Sequence, residues 1–193
     1  MSVTHLLVPT LAFLAASAVA QLRLNVTAIG AQNGILTLEC WEVDSPFYTS
    51  SDSATVGAKV AHLGNVSTLS WSVVPPGHYV SPHNAPYNQQ VHLTWCRWVI
   101  LLKGFGHITL PHDNSTGAYI TGGEFGVIFA ADTADVSCDG HISTYLSSTE
   151  SVYLQIPTQD GTVPEHNRLH MGPCVAEEMA GLRMGNHLMH RSR

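Results

Sequence analysis

Short runs of Val, Ile, Thr and aromatic residues, each broken by turn formers, recur along the whole chain, and they constrain the fold more than any other feature. The runs are LRLNVTAI (22–29), ILTLECWEV (35–43), STLSWSVV (67–74), QVHLTWCRWVILL (90–102), HITL (107–110), GVIFAA (126–131), HISTYL (141–146) and VYLQIP (152–157). Such residues suit a half-buried pleated surface. Between them stand Asn33-Gly34, Gly104-Phe105-Gly106, Gly122-Gly123 and Asp139-Gly140, all turn chemistry. Closely spaced short strands predict one all-β domain, a sandwich, jelly roll or small β-barrel, and closure of the sheet would hide its edges. Residues 44–66, crowded with Ser, Asp and Thr, read as a surface loop. A short C-terminal helix is expected in CVAEEMAGLRM (174–184), where early acids and late Arg183 suit the helix dipole.

The 193 residues fit a single domain with a sizeable core. Only 11% are charged and the net charge is −6, with no basic stripe, so nucleic acid is not an expected partner. Residues 1–20 carry no Asp, Glu, Lys or Arg and end in Ala18-Val19-Ala20. This reads as a signal peptide cleaved after Ala20. The barrel domain is then expected over 21–184, with a flexible tail at 185–193, and no further apolar segment is long enough to anchor the chain in a membrane.

A secreted or secretory-lumen location follows, and with it an oxidising compartment. Cys40, Cys96, Cys138 and Cys174 form an even set, so two disulfides are expected, with three possible connectivities. Cys174 is expected to tie the C-terminal segment to the barrel. No Cys-x-x-Cys spacing is present, which argues against a thiolate zinc site. Asn25, Asn65 and Asn114 head Asn-x-Ser/Thr triplets and are expected glycosylation positions.

WSVVPPGHYVSPHNAPYNQQ (71–90) places Gly77 five residues before His83, as in the first metal motif of cupins. The motif then fails: Ala85 stands at the second ligand position and Gln89 or Gln90 at the carboxylate position. Alanine offers no lone pair and glutamine no charge. His141 follows a Gly-rich turn but lacks the second cupin motif's spacing. No metal and no cofactor are expected.

The segments HNAP (83–86), WVILLKGFG (98–106), ITLP (108–111), AADTA (130–134), GHIST (140–144), PEH (164–166) and GPC (172–174) resemble, from about residue 35 to Cys174, the fungal small secreted proteins with a cupin-like β-barrel. Some members of that family are hetero-Diels–Alderases of tropolone–sesquiterpenoid biosynthesis. The resemblance implies a metal-independent cycloaddition between a polyketide-derived quinone methide or tropolone and a humulene-type terpene. Such chemistry needs a dry concave pocket for apolar and aromatic small molecules, with a few polar groups to polarise a carbonyl. The alternatives are a non-catalytic secreted small-molecule binder or effector, and a metal-dependent cupin enzyme.

On this reading His83, Asn84 and His141 are the candidate catalytic groups. Trp41, Trp71, Tyr87, Trp98, Phe129 and Asp132 are the candidate substrate-binding residues. Core packing competes for each aromatic side chain. Strand alternation places Trp41 with Val43 and Trp71 with Val73 but leaves open which face is inside. Local turn stabilisation competes for Asn84. Asp132 either caps a turn or buttresses His141.

Overall fold

The computed structural model describes residues 21–85, 87–88, 93–94 and 96–179. The expected signal peptide, the 185–193 tail and the expected helix beyond Met179 lie outside the described residues. In chain order the strands are β1 (Arg23–Gln32), β2 (Ile35–Pro46), β3 (Tyr48–Thr49), β4 (Lys59–Val60), β5 (Ser70–Val74), β6 (Tyr79–His83), β7 (Tyr87–Asn88), β8 (Leu93–Thr94), β9 (Arg97–Lys103), β10 (Phe105–Leu110), β11 (Asp113–Thr121), β12 (Val127–Ala130), β13 (His141–Tyr145), β14 (Ser151–Pro157) and β15 (His166–Met171). One turn of helix, α1 (Ala176–Met179), follows. It is not long and apolar enough to cross a membrane, nor is any other described helix.

A seven-stranded sheet in the order β15-β2-β1-β12-β9-β14-β5 faces a four-stranded sheet in the order β11-β10-β13-β6. The all-β class holds. Closure does not: neither sheet curls into a barrel, and among the described residues β15, β5, β11 and β6 remain edges. One cause lies between β5 and β6, where the chain leaves one sheet for the other through Pro75-Pro76-Gly77. Two prolines supply no N–H, so the ladder cannot run around that corner.

Strand alternation sorts the apolar residues into two cores. Ile29, Leu38, Leu101, Ile128 and Ala130 of the large sheet meet Ile108, Leu110, Ala118 and Ile120 of the small one. Val26, Ala28, Trp41, Val43, Trp98 and Phe129 project from the other face of the large sheet. Leu63 and Ile156 pack against that second core, and Trp98 Nε1 donates to the Leu63 carbonyl at 3.1 Å. Full burial of side chains this large contributes about 1.5–3 kcal/mol each.

Three expectations need correction. The run 90–102 is not one strand: β8 and β9 are separate, and only β9 joins the large sheet. β6, β11 and β15 were not expected, because their segments are rich in polar or turn residues. Asp113 Oδ1, for example, accepts from the Ser115 and Thr116 backbone N–H groups in a tight turn, and β11 then runs on through Gly117. A Cβ at Gly117 would stand 2.5 Å from His107 Nε2, so any larger residue there would have to displace the His107 ring.

The third correction concerns the cysteines. Cys40 and Cys174 form a disulfide, which ties the C-terminal segment to β2 as expected and is consistent with an extracellular or secretory-pathway protein. Cys96 and Cys138 are free thiols. Cys96 is buried in the second core beside Trp98, while Cys138 is exposed in the loop between β12 and β13.

Candidate functional site

Between the sheets lies a half-open cavity of about 240 Å³. Its floor is apolar, built from Ile29, Val99, Leu101, Ile108, Ile120 and Ile128. Its volume falls just below the roughly 300–1,000 Å³ of drug-sized ligand sites, which suits one compact ring system.

Polar groups converge on one corner. β6 and β13 pair with His83 directly opposite His141, and the two rings stand 4.3 Å apart. Gly140 makes this approach possible, since a Cβ there would lie 2.6 Å from the His83 backbone. His141 Nδ1 donates to Asp132 Oδ2 at 2.6 Å, and the carboxylate is fully buried. His83 Nδ1 lies 2.8 Å from the Ser81 carbonyl, which can only accept, so Nδ1 carries the hydrogen. Both rings therefore keep Nε2 as the nitrogen available to a ligand. Burial, then the neighbouring His141, lower the His83 pKa below its ordinary 6.5, so His83 is neutral at pH 7. An imidazole oriented by a buried carboxylate, beside a neutral imidazole, is equipped for proton transfer.

Asn84 stands behind this corner. Its Nδ2 donates to the Asp132 carbonyl at 3.0 Å and to the Ser137 carbonyl at 2.9 Å, fixing the 132–137 loop against the end of β6. Its amide N–H groups hold protein, and Asn84 is not among the cavity-lining residues.

The aromatic residues expected to hold substrate lie elsewhere. Trp41, Trp98 and Phe129 are buried in the core on the far face of the large sheet. Trp41 stacks on His166 at 3.6 Å and donates from Nε1 to Glu39 Oε2 at 2.6 Å. Trp71 is exposed on β5. The side chains of Tyr87 and Asn114 lie outside the described residues. Asn25 Nδ2 donates to the Glu178 carbonyl at 3.0 Å, so its amide is engaged, whereas Asn65 is exposed.

The cavity wall is lined by residues that were not expected there. Tyr145 and Tyr153 stack at 5.9 Å along the cavity wall. Burial, reinforced by Tyr153, pushes the Tyr145 phenol well above its ordinary pKa, so its hydroxyl stays a donor. Arg97, buried, and Gln155 complete the polar side of the wall. A signal for Arg97 was present: it is the one charged residue in CRWVILL and shares parity with Val99 and Leu101.

Among the described residues, Cys40, His170 and Glu178 bring potential metal-ligating atoms within 4.8 Å of one another. The Cys40 sulfur is already bonded to Cys174, so this group lacks a thiolate. Compared with known proteins, the chain matches no family model, no curated protein and no solved structure.

Proposed function

We propose that the cavity between the sheets is an active site for a metal-independent (hetero-)Diels–Alder cycloaddition, joining a polyketide-derived quinone methide or tropolone to a humulene-type terpene. The observation that carries the reading is the His83/His141–Asp132 corner at the edge of a cavity with an apolar floor. The cavity size suits the flat carbonyl-bearing partner, with the Tyr145–Tyr153 stack as its aromatic wall. Its oxygen meets the polar corner. The Tyr145 hydroxyl donates to that oxygen, and the imidazoles carry a proton from the precursor's ring hydroxyl to its benzylic hydroxyl, which leaves as water as the reactive diene forms.

The hetero-cycloaddition itself converts three π bonds of the two partners into one C–C bond, one C–O bond and one new π bond, and expels nothing. Most of the rate gain then comes from holding the partners in a near-attack pose. The resemblance of HNAP, AADTA and GHIST to the fungal family supports the same reading, and these are the segments that build the corner.

The test mixes purified protein, diene precursor and terpene, and follows adduct formation against a control without protein. Faster and stereoselective adduct formation is expected, reduced on the order of 10-fold or more in His141→Ala. A rate and isomer ratio equal to the control refute the reading and leave a non-catalytic binder.

A further inference from the structure

We propose that β5 is a homodimerisation edge, through which two copies pair antiparallel about Trp71 and extend the large sheet across both. Among the described residues nothing pairs with the outer edge of β5, the last strand of that sheet. Exposed edges are ordinarily blunted by charges, proline or bulges. β5 has none of these: Ser70–Val74 reads SWSVV and pairs with β14 in unbroken register.

Its exposed face is also apolar. Leu69 is 64% exposed, Trp71 65% and Val73 51%. Trp71 lies beside Leu154, itself beside Ile100, and Val73 lies beside Val152, so the stripe continues over two further strands. These side chains together expose on the order of 500 Å² of apolar surface, the scale of the largest patches on soluble monomers. Edge pairing buries the part of this patch nearest β5, where Trp71 meets Trp71 and Leu69 meets Val73, and the paired backbone adds to it toward the ~800 Å² per partner of a standard interface.

The pattern selects a second copy as the occupant. Around Trp71 the sequence is palindromic in character, with Ser70 and Ser72 flanking it and Leu69 and Val73 beyond. Antiparallel self-pairing centred there sets Trp71 opposite Trp71, Leu69 opposite Val73 and serine opposite serine. Every side chain then stays on its own face, as sheet register demands. A two-fold interface requires this kind of self-complementarity. The stretch from Ser67 to Val74 also carries no charge to repel its copy.

The test is sedimentation velocity on the full chain from about 1 to 100 µM. The wild type is expected to be dimeric. Trp71→Glu places two like charges at the two-fold and is expected to weaken the dimer by more than about 30-fold. Mixing Trp71→Glu with Trp71→Lys is expected to restore a dimer. Circular dichroism reports whether each variant folds, and Leu69→Asp replaces Trp71→Glu if that variant does not. A monomeric wild type overturns the proposal and leaves the stripe to a different partner. Undiminished dimerisation of the folded variant, or charge-swapped chains that stay apart, overturns it equally.

Discussion

Removing the Cys40–Cys174 disulfide is expected to cost as much stability as the most damaging single core substitutions. The bond joins residues separated by 134 positions, so it closes nearly the whole described chain into one loop. In the chain-entropy treatment, a loop of that length lowers the entropy of the unfolded state by about 17 cal/mol/K, or about 5 kcal/mol at 25 °C. For a domain of this size each kcal/mol shifts Tm by roughly 2–4 °C, which gives a drop of about 10–20 °C. The local structure does not replace the link: the Cys174 N–H bond to Thr27 Oγ1 at 3.1 Å is worth only about 1 kcal/mol. The double variant Cys40→Ala/Cys174→Ala avoids a stray thiol, and urea denaturation with circular dichroism measures the change. A loss below about 1 kcal/mol would refute the reasoning, because it would mean the unfolded chain is already closed by other contacts.

Thiol titration of native protein is expected to find Cys138 alone, with Cys96 reacting only after denaturation, since burial raises its pKa to about 11; no free thiol in the denatured, unreduced chain would contradict this. Burial and His141 depress the His83 pKa, so the folded state resists a proton that the unfolded state accepts. Any His83 contribution to stability is complete above pH 6.5 and is lost as pH falls from there through the lower folded value. The acid limb of kcat/KM for adduct formation is accordingly expected below pH 6.5, and a limb above it would show that neutral His83 is not required. Asn84→Ala removes both bonds to the 132–137 loop and is expected to cost about 1–3 kcal/mol in denaturation, with activity falling as Asp132 shifts; unchanged stability would exclude the anchoring role. Adduct formation is expected to persist in EDTA, because the corner's two imidazoles share the cavity with the buried Arg97 guanidinium, whose charge opposes a cation; abolished activity restored by a divalent metal would overturn this.

Much of the fold was legible because alternation survives in single strands. The runs 22–29, 35–43, 126–131 and 152–157 each fall on strands of the large sheet. What the sequence hides is pairing. β12 pairs parallel with β1 and antiparallel with β9, which no local pattern announces. β15 reads HNRLHM, a strand recruited by the β2 edge rather than by its own apolar content. At the site, His83, His141 and Asp132 were singled out from sequence, but the cross-strand register that brings the two rings together depends on β6, which was not. That Trp41, Trp98 and Phe129 lie off the cavity was hidden for a simpler reason: periodicity groups residues by face without saying which face is enclosed by the second sheet.

That choice of face also explains why a cavity exists. In β9 the inward residues are Arg97, Val99 and Leu101, while Trp98 points to the other core. In β12 the inward residues are Ile128 and Ala130, while Phe129 points away. Trp98 and Phe129 meet edge to face at 4.8 Å and are both fully buried on their side. The inner side receives Ala85, Gly106, Gly126 and Ala130 at its wall, and these small residues leave space that the surrounding isoleucines do not occupy. A one-residue slip of β9 and β12 would exchange the two faces, driving Trp98 and Phe129 into the cavity and Arg97 into the second core. The register is held against that slip by Thr158, whose N–H and hydroxyl both donate to the Cys96 carbonyl at 3.0 and 3.1 Å. The large aromatic residues thus stabilise the sheet from behind, and the cavity is the space their absence leaves in front.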